Sequence, residues 1–557
     1  MSTPQLTSIA MKSRTAAAFF LFAYLLSALS IPSCSPTSSD EEQPRPNILL
    51  IVADDLGYAD LGCYGGDIET PNIDALAARG IRFSRFHTAP MCAPTRAMLL
   101  SGNDNHIAGM GRQSLRTQEF GYEGRLSERI ATIPQVLRAA GYHTYMAGKW
   151  HLGTAPEHNP HQKGFEHSFV LLEGAGNHYD DQGLFANAPV SPYTEDEEPA
   201  QWKKGDYSTD FYTGKLIEYI DRHRSDGRPF FAFAAYTSPH WPLQVDEKYW
   251  KKYEGRYDEG YEKLKEKRLE SLKRAGMIPA GATLPPNHPR VTPWDSLSPE
   301  QQRVEARKME LYAGMVDNLD HNIGRLVQHL KDIGAYDNTL IVFMSDNGAA
   351  AEDFYDNPFY GPFIRRHFTD DYEVMGQPHS FISYGPQWAE AGSAPFRYFK
   401  GQTTEGGMIA PMIIAGPGVE RRGEIAHQFT TLMDLAPTFY EAAGTQYPET
   451  FNEKPLYPLK GASLLPFTTG EAEQVHGPDY VFALEHGGRA MLRKGDWKIT
   501  NLSRPFSVDS FQLYRITKDL AEMQDLKAEE PEKFRELTGE WERYVEEVRV
   551  QFPTPRE

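Results

Sequence analysis

Short apolar runs that end in polar residues, each followed by a helix-forming stretch, constrain this chain more than any other feature. Asn47–Ala53 reads as a buried strand, with Ile48, Leu49, Leu50, Ile51 and Val52 in succession. Thr70 then offers an N-cap, Pro71 the first helical position and Gly80 a stop, with Ile73, Leu76 and Ala77 on one face. A helix over about 133–140, stopped by Gly141, precedes a strand around 144–147, and Phe230–Ala235 is another strand. Leu311, Met315, Leu319, Ile323, Leu326 and Leu330 recur at helical spacing, so a long helix spans about 299–333, ahead of a strand at 340–344. The alternation predicts an α/β fold: a large mixed, mostly parallel sheet sandwiched by helices.

Two segments interrupt this pattern. Residues 252–298 are charged and then proline-rich, without a clean period. Residues 350–399 are crowded with aromatics, including Phe354, Tyr360, Phe381 and Trp388. They read as a large structured loop with a small core of its own; a wall facing substrate is a second reading, compatible with the first. From about residue 455, β-like runs at 480–484, 490–493, 497–500 and 511–515 and a polar helix over about 531–548 predict a smaller α+β domain, an antiparallel sheet with one helix.

The N-terminus predicts export. Lys12 and Arg14 precede an apolar run over 16–29 that is short for a transmembrane helix, and small residues lead to Cys34. Ile31-Pro32-Ser33-Cys34 resembles a bacterial lipoprotein cleavage box, which would place a lipid anchor on Cys34; the other reading is an ordinary signal peptide. The expected layout is a signal over 1–34, a polar linker over 35–45, a large domain over 46–454 and a small one over 455–557. Such a protein is periplasmic, anchored in the outer membrane, or secreted. Its formal net charge of −19 repels nucleic acid and other long polyanions, but leaves a small anion free to bind where local charges favour it. Three cysteines in 557 residues exclude a disulfide scaffold and leave Cys63 and Cys92 for the folded body.

Polar residues gather just after the apolar strands: Asp54 and Asp55, Lys149 and His151, His240, and Asp346 with Asn347. In an open α/β sheet the carboxyl ends of the strands line the ligand crevice, so these residues can converge. Asp54, Asp55, Asp346 and Asn347 offer only oxygens, a set suited to Ca²⁺ or Mg²⁺ rather than zinc. Taken singly, each Asp could instead cap the turn that follows it. Pro94 can open a helix that ends at Gly102, which puts Cys92 at its N-terminus, where free N–H groups and the helix dipole favour a thiolate or a bound oxyanion. Arg96, one turn on, can hold both a metal ligand and the nucleophile. A lone cysteine is otherwise a small buried hydrophobe, or a disulfide partner for Cys63.

Cys92-Ala93-Pro94-Thr95-Arg96 resembles the sulfatase signature C-x-P-[ST]-R, and Gly148-Lys149-Trp150-His151-Leu152-Gly153 resembles the second signature. Pro46 to Gly57, Ser345-Asp346-Asn347-Gly348, Ser238-Pro239-His240-Trp241-Pro242, and Lys400 with Glu405-Gly406-Gly407 match further segments of that family, in order, over roughly residues 46–445. One short motif is weak; their joint occurrence in order is not. The stretch from Ser101 to Gly111 looks most like bacterial arylsulfatases. Ile409 stands where the family often has Arg, which bears on a supporting contact only.

The resemblance implies an alkaline-phosphatase-like fold, a catalytic domain over 46–454, and hydrolysis of an aryl or similar small sulfate ester. It implies one Ca²⁺ per chain on Asp54, Asp55, Asp346 and Asn347, touching residue 92, and oxidation of Cys92 to formylglycine by a formylglycine-generating maturation enzyme. One hydroxyl of the hydrated aldehyde would attack sulfur. Lys149 and Lys400 would hold sulfate oxygens, and His240, with Lys400, would protonate the leaving group. His151 would deprotonate the second hydroxyl to release sulfate, and Arg96 would orient the hydrate. Three rivals remain: a sulfated-glycan sulfatase, a phosphate or phosphonate ester hydrolase of the same superfamily, and a non-catalytic binding protein.

Overall fold

A computed structural model describes residues 45–113, 115–201 and 205–553. The expected signal, lipidation site and nearly all of the linker lie outside the described residues. Among the described residues, no helix is long and apolar enough to cross a membrane.

Strands β1 (Asn47–Ala53), β2 (Ile81–His87), β3 (His143–Lys149), β4 (His167–Leu171), β5 (Phe230–Ala235), β6 (Thr339–Ser345) and β7 (Ile409–Ala415) form one sheet in the order β2-β7-β6-β1-β5-β3-β4, with short strands extending both edges. β4, β3, β5, β1 and β6 run parallel, and β7 runs antiparallel to both its neighbours. The sheet is therefore mixed and mostly parallel, as the alternation predicts.

β1 is apolar on both faces because helices cover both. Leu49 and Ile51 pack with Leu311, Leu319 and Ile323 of α4 (Pro299–Asp332). Ile48, Leu50 and Val52 pack on the other face with Met98 and Leu99 of α2 (Cys92–Ser101). Each such side chain contributes about 1.5–3 kcal/mol by leaving water, so a charged residue at 50 or 51 would break the layer. α4 starts where Ser298 and Gln301 close a reciprocal capping box behind Pro299. α1 (Pro71–Arg79) starts as predicted, but the Thr70 hydroxyl does not cap it. The Asp320 carboxylate of α4 does so instead, accepting from the N–H groups of Asn72 and Ile73 at 3.0 and 2.8 Å.

The segment 252–298 contains a regular helix, α3 (Tyr261–Arg274), whose Leu264, Leu269 and Leu272 are buried. Its Lys- and Glu-rich outer face masks the period in the sequence. The aromatic segment 350–399 holds short helices, Gly361–His367 and Gly385–Gly392, and contributes Phe381, Tyr384 and Trp388 to the core.

The C-terminal sheet is an antiparallel meander of β8 (Val481–His486), β9 (Arg489–Lys494), β10 (Trp497–Asn501) and β11 (Gln512–Arg515). Leu537 and Trp541 of α5 (Pro531–Val548) pack on Leu492, Ile499 and Leu513. Buried charges fasten this sheet to the larger one. Lys498 lies 2.7 Å from Glu405 and 2.8 Å from Glu522, and His87 lies 2.9 Å from Glu405. Burial opposes ionisation of Glu405, but Lys498 and His87 prevail and hold its carboxyl well below the usual range. Stranding one member of such a buried group costs about 3–5 kcal/mol.

Candidate active site

The residues singled out by their position after strands converge at the carboxyl edge of the sheet. β1 delivers Asp54 and Asp55, β6 delivers Asp346 and Asn347, and β3 ends on Lys149. Gly148 is required there: its φ is +118°, and a Cβ would collide with the Ala235 carbonyl of β5. Asp55 and His151 both sit in the left-handed region, at φ 68° and 60°. Such backbone is held only where surrounding bonds impose it. At Asp55 the bonds are plain: its N–H donates to Asp346 Oδ1 at 3.1 Å, while Oδ1 accepts from Asn347 Nδ2 at 2.6 Å.

Cys92 begins α2 and is 1% exposed. Ligand atoms of Asp54, Asp55, Cys92 and His240 all lie within 4.8 Å of one another. Asp346 and Asn347 join this group through Asp55. Lys149 Nζ donates to both oxygens of Asp54, at 2.8 and 2.7 Å, and Lys400 Nζ donates to Asp55 Oδ2 at 2.8 Å. Arg96 donates from Nη1 to the Lys149 carbonyl at 2.8 Å and from Nη2 to Asp346 Oδ2 at 3.3 Å. Every residue predicted for the site is in or against this cluster. Cys63 is not; it is a free, half-buried thiol elsewhere, so the disulfide alternative falls away.

The charges divide the group. Burial raises the Asp55 carboxyl, but Lys400, His240 and Lys149 outweigh it and bring it down to about 2. Burial and the charge of Asp54 push Asp346 up to about 6, against Arg96 and Lys149. Burial pushes the Cys92 thiol up to about 12, although Lys149 and Lys400 oppose it. The helix-dipole expectation of a thiolate is thereby overridden: unmodified Cys92 is a neutral thiol and a poor nucleophile at neutral pH. Burial, then the charges of Lys149, Arg96 and Lys400, hold His151 well below its ordinary value. Its Nδ1 is buried without a hydrogen-bond partner, so this neutral ring can accept a proton. His240 is brought down to about 3, chiefly by burial. Its Nδ1 is 2.7 Å from the Trp241 carbonyl, and its Nε2 is 3.4 Å from Asp55 Oδ2.

Three carboxylates and an amide fit a hard divalent cation. Asn347 Oδ1 is buried without a hydrogen-bond partner, an oxygen open to a cation. Arg96, Lys149 and Lys400 balance part of the charge of these carboxylates.

One residue at the site carries no signal in the sequence. Glu352 Oε1 lies 3.7 Å from Lys400 Nζ. Burial raises its carboxyl, and Lys400 opposes the shift. In sequence it follows three alanines and reads as a solvated loop residue; only the return of the chain at Lys400 brings it to the site.

Residues 46–445 match the family described as Sulfatase. An uncharacterized sulfatase of Schizosaccharomyces pombe is 39% identical over 529 residues, 91% of this chain and 95% of that protein. The arylsulfatase of Klebsiella aerogenes is 39% identical over 431 residues, 76% of this chain and 92% of the enzyme. The crystal structure of Ps i-CgsB in complex with k-i-k-neocarrahexaose superposes with a TM-score of 0.64 at 26% identity, covering 90% of this chain and 92% of that one. Similarity on this scale, over a fold that brings the signature cysteine among its expected carboxylates, makes the chain a member of the Sulfatase family and a hydrolase of sulfuric esters.

Proposed function

We propose that the protein hydrolyses small aryl sulfate esters to a phenol and inorganic sulfate, with Cys92 matured to formylglycine and Ca²⁺ held by Asp54, Asp55, Asp346 and Asn347. The observation that carries this reading is the meeting of a buried cysteine with that oxygen set and two lysines. Residue 92, once oxidised, supplies a hydrated aldehyde with two hydroxyls, one to attack sulfur and one whose deprotonation lets sulfate depart. Ca²⁺ supplies positive charge that offsets the negative charge of the sulfate.

The chain's own residues supply the rest. Lys149 and Lys400 neutralise sulfate oxygens as charge develops on them, in a site where burial strengthens each interaction. Arg96, anchored to the Lys149 carbonyl and Asp346, fixes residue 92 against both. His151, neutral and with Nδ1 free, takes the proton that accompanies release of sulfate. His240 and Lys400 flank the departing oxygen and provide its proton; an arriving sulfate anion favours the protonated form of His240. The aryl preference is supported by the arylsulfatase relative and by the aromatic segment after β6. A sulfated-glycan substrate is the second reading, favoured by the oligosaccharide bound to Ps i-CgsB.

Mass spectrometry of the Cys92 peptide from a host with the maturation enzyme tests the nucleophile, beside assays on aryl, alkyl and carbohydrate sulfates and on a matched aryl phosphate. Unmodified cysteine together with no sulfate release would refute the reading. Preference for the phosphate would move the protein to another branch of the superfamily.

A further inference from the structure

A chain of aromatic rings leads from the surface to His240. The rings of His240 and Trp241 have centroids 4.2 Å apart, Trp241 and Phe354 4.6 Å, and Phe354 and Tyr360 5.0 Å. Phe185 closes the run, 6.4 Å from Trp241 and 5.4 Å from Tyr360. These rings come from three separate stretches: the hairpin of Gln182–Phe185 with Ala188–Val190, the loop after β5, and the aromatic segment after β6. Exposure grades outward, from 7% at Trp241 to 42% at Tyr360 and 87% at its neighbour Phe359. Val190, on the same hairpin as Phe185, is 56% exposed. Exposed apolar groups gathered at the mouth of a site mark a surface that meets an apolar ligand. Trp241 Nε1 is buried without a hydrogen-bond partner, whereas a buried indole N–H normally has one.

Glu352 stands where this run meets the sulfate-binding end. It lies two residues before Phe354, with Oε1 near Lys400 and Oε2 buried without a hydrogen-bond partner. Lys400 is the cation within 4 Å of it among the described residues, and Arg290 acts on it from farther away. A second negative charge on the alcohol part of an ester would face this carboxylate at close range, in surroundings drier than bulk water.

We infer that the alcohol side of the site selects an uncharged aromatic group, with Trp241, Phe354, Tyr360 and Phe185 stacking on the ring and Glu352 rejecting esters that carry another anion beside the sulfate. The inference rests on the sulfatase reading above. It separates a monosulfated aryl ester from sulfated saccharides whose neighbouring groups are anionic.

The test uses ratios within each protein, so that intrinsic ester reactivity and overall activity cancel. The mature full chain, Glu352→Gln and Phe354→Ala are assayed on 4-nitrophenyl sulfate, 2-carboxy-4-nitrophenyl sulfate and propyl sulfate. Glu352→Gln should raise kcat/KM for the carboxylated ester relative to the neutral one by about tenfold at low ionic strength, with the gain shrinking in salt. Phe354→Ala should lower the ratio of 4-nitrophenyl to propyl sulfate by about tenfold, mainly through KM. Ratios within about twofold of the wild type in both folded variants would overturn the inference. Failure of the wild-type protein to hydrolyse any of the three esters would instead refute the sulfatase reading on which it rests.

Discussion

Lys149 Nζ donates to both carboxylate oxygens of Asp54, at 2.8 and 2.7 Å, with both side chains fully buried. A divalent cation taking those oxygens competes with the ammonium, and Lys400 donates in turn to one oxygen of Asp55, Oδ2. On the proposed function, cation binding would thus be linked to the freeing of two lysines for sulfate. The two ammonium groups also offset part of the negative charge that the carboxylates bring together.

Chelation of the mature enzyme should abolish ester hydrolysis while leaving the fold intact, and Ca²⁺ should restore activity. Circular dichroism before and after chelation checks this; cooperative unfolding on chelation would contradict it. Affinity should also depend on pH. Burial and the charge of Asp54 push Asp346 up to about 6, so a proton competes with the cation below that value. Calorimetry should find the affinity roughly constant above pH 7 and falling by up to about tenfold per unit below 6. A pH-independent Kd between 5 and 7 would rule out Asp346 as a ligand.

Cys92→Ala should eliminate sulfate release, with a loss of stability of no more than about 1 kcal/mol, because a small buried side chain replaces a small buried thiol. Wild-type turnover in this variant would refute the assigned nucleophile. Cys92→Ser retains one hydroxyl but not the second, so it should release at most about one equivalent of phenol and then stall. Rapid-quench measurement of the phenol burst reads this directly.

His240→Ala should matter in proportion to the basicity of the leaving group. Proton donation contributes about 10²–10⁴-fold where the departing oxygen needs a proton and far less where it does not. An alkyl sulfate should thus lose at least about a hundredfold in kcat and 4-nitrophenyl sulfate about tenfold or less. Equal losses on both esters would make His240 a structural neighbour of Asp55 rather than a proton donor.

The junction between the two sheets should weaken in alkali. His106 is fully buried, 3.2 Å from Asp104 and 3.4 Å from Glu485 of β8, and Tyr544 of α5 donates to the same Asp104 at 2.9 Å. Burial opposes protonation, but the two carboxylates outweigh it and raise the imidazole to about 9. A folded value above the unfolded one contributes stability that is fully present below about pH 6.5 and lost as pH rises through 9. The contribution is on the order of 3 kcal/mol. Urea unfolding should show this decline between pH 7 and 9.5, and His106→Gln should flatten it. An equal decline in both proteins would assign the effect to other groups.

Much of this molecule is legible in its sequence, for identifiable reasons. β1 and α4 are strongly patterned, and the site residues directly follow apolar strands, where an open sheet gathers them. β2 escapes such reading because Arg82, Ser84 and Arg85 break its apolar run, although β7 and flanking chain bury most of it. The direction of β7 escapes too: a strand covered on both faces is continuously apolar whether it runs parallel or antiparallel. Glu352 and the pairing of each lysine with its own aspartate depend on contacts between residues far apart in sequence, 95 positions for Lys149 with Asp54 and 345 for Lys400 with Asp55, which no local pattern encodes.

The ion group around Glu405 has a practical meaning for anyone seeking a minimal enzyme. Glu405 follows Lys400 by five positions, and the cation that balances it, Lys498, belongs to β10. A gene shortened before residue 481 would take Lys498 away from that carboxylate and leave it His87 alone, next to the turn that presents Lys400. The damage would reach the reaction centre even though every signature residue survived, so the tail is a working part of the catalyst and not a detachable module.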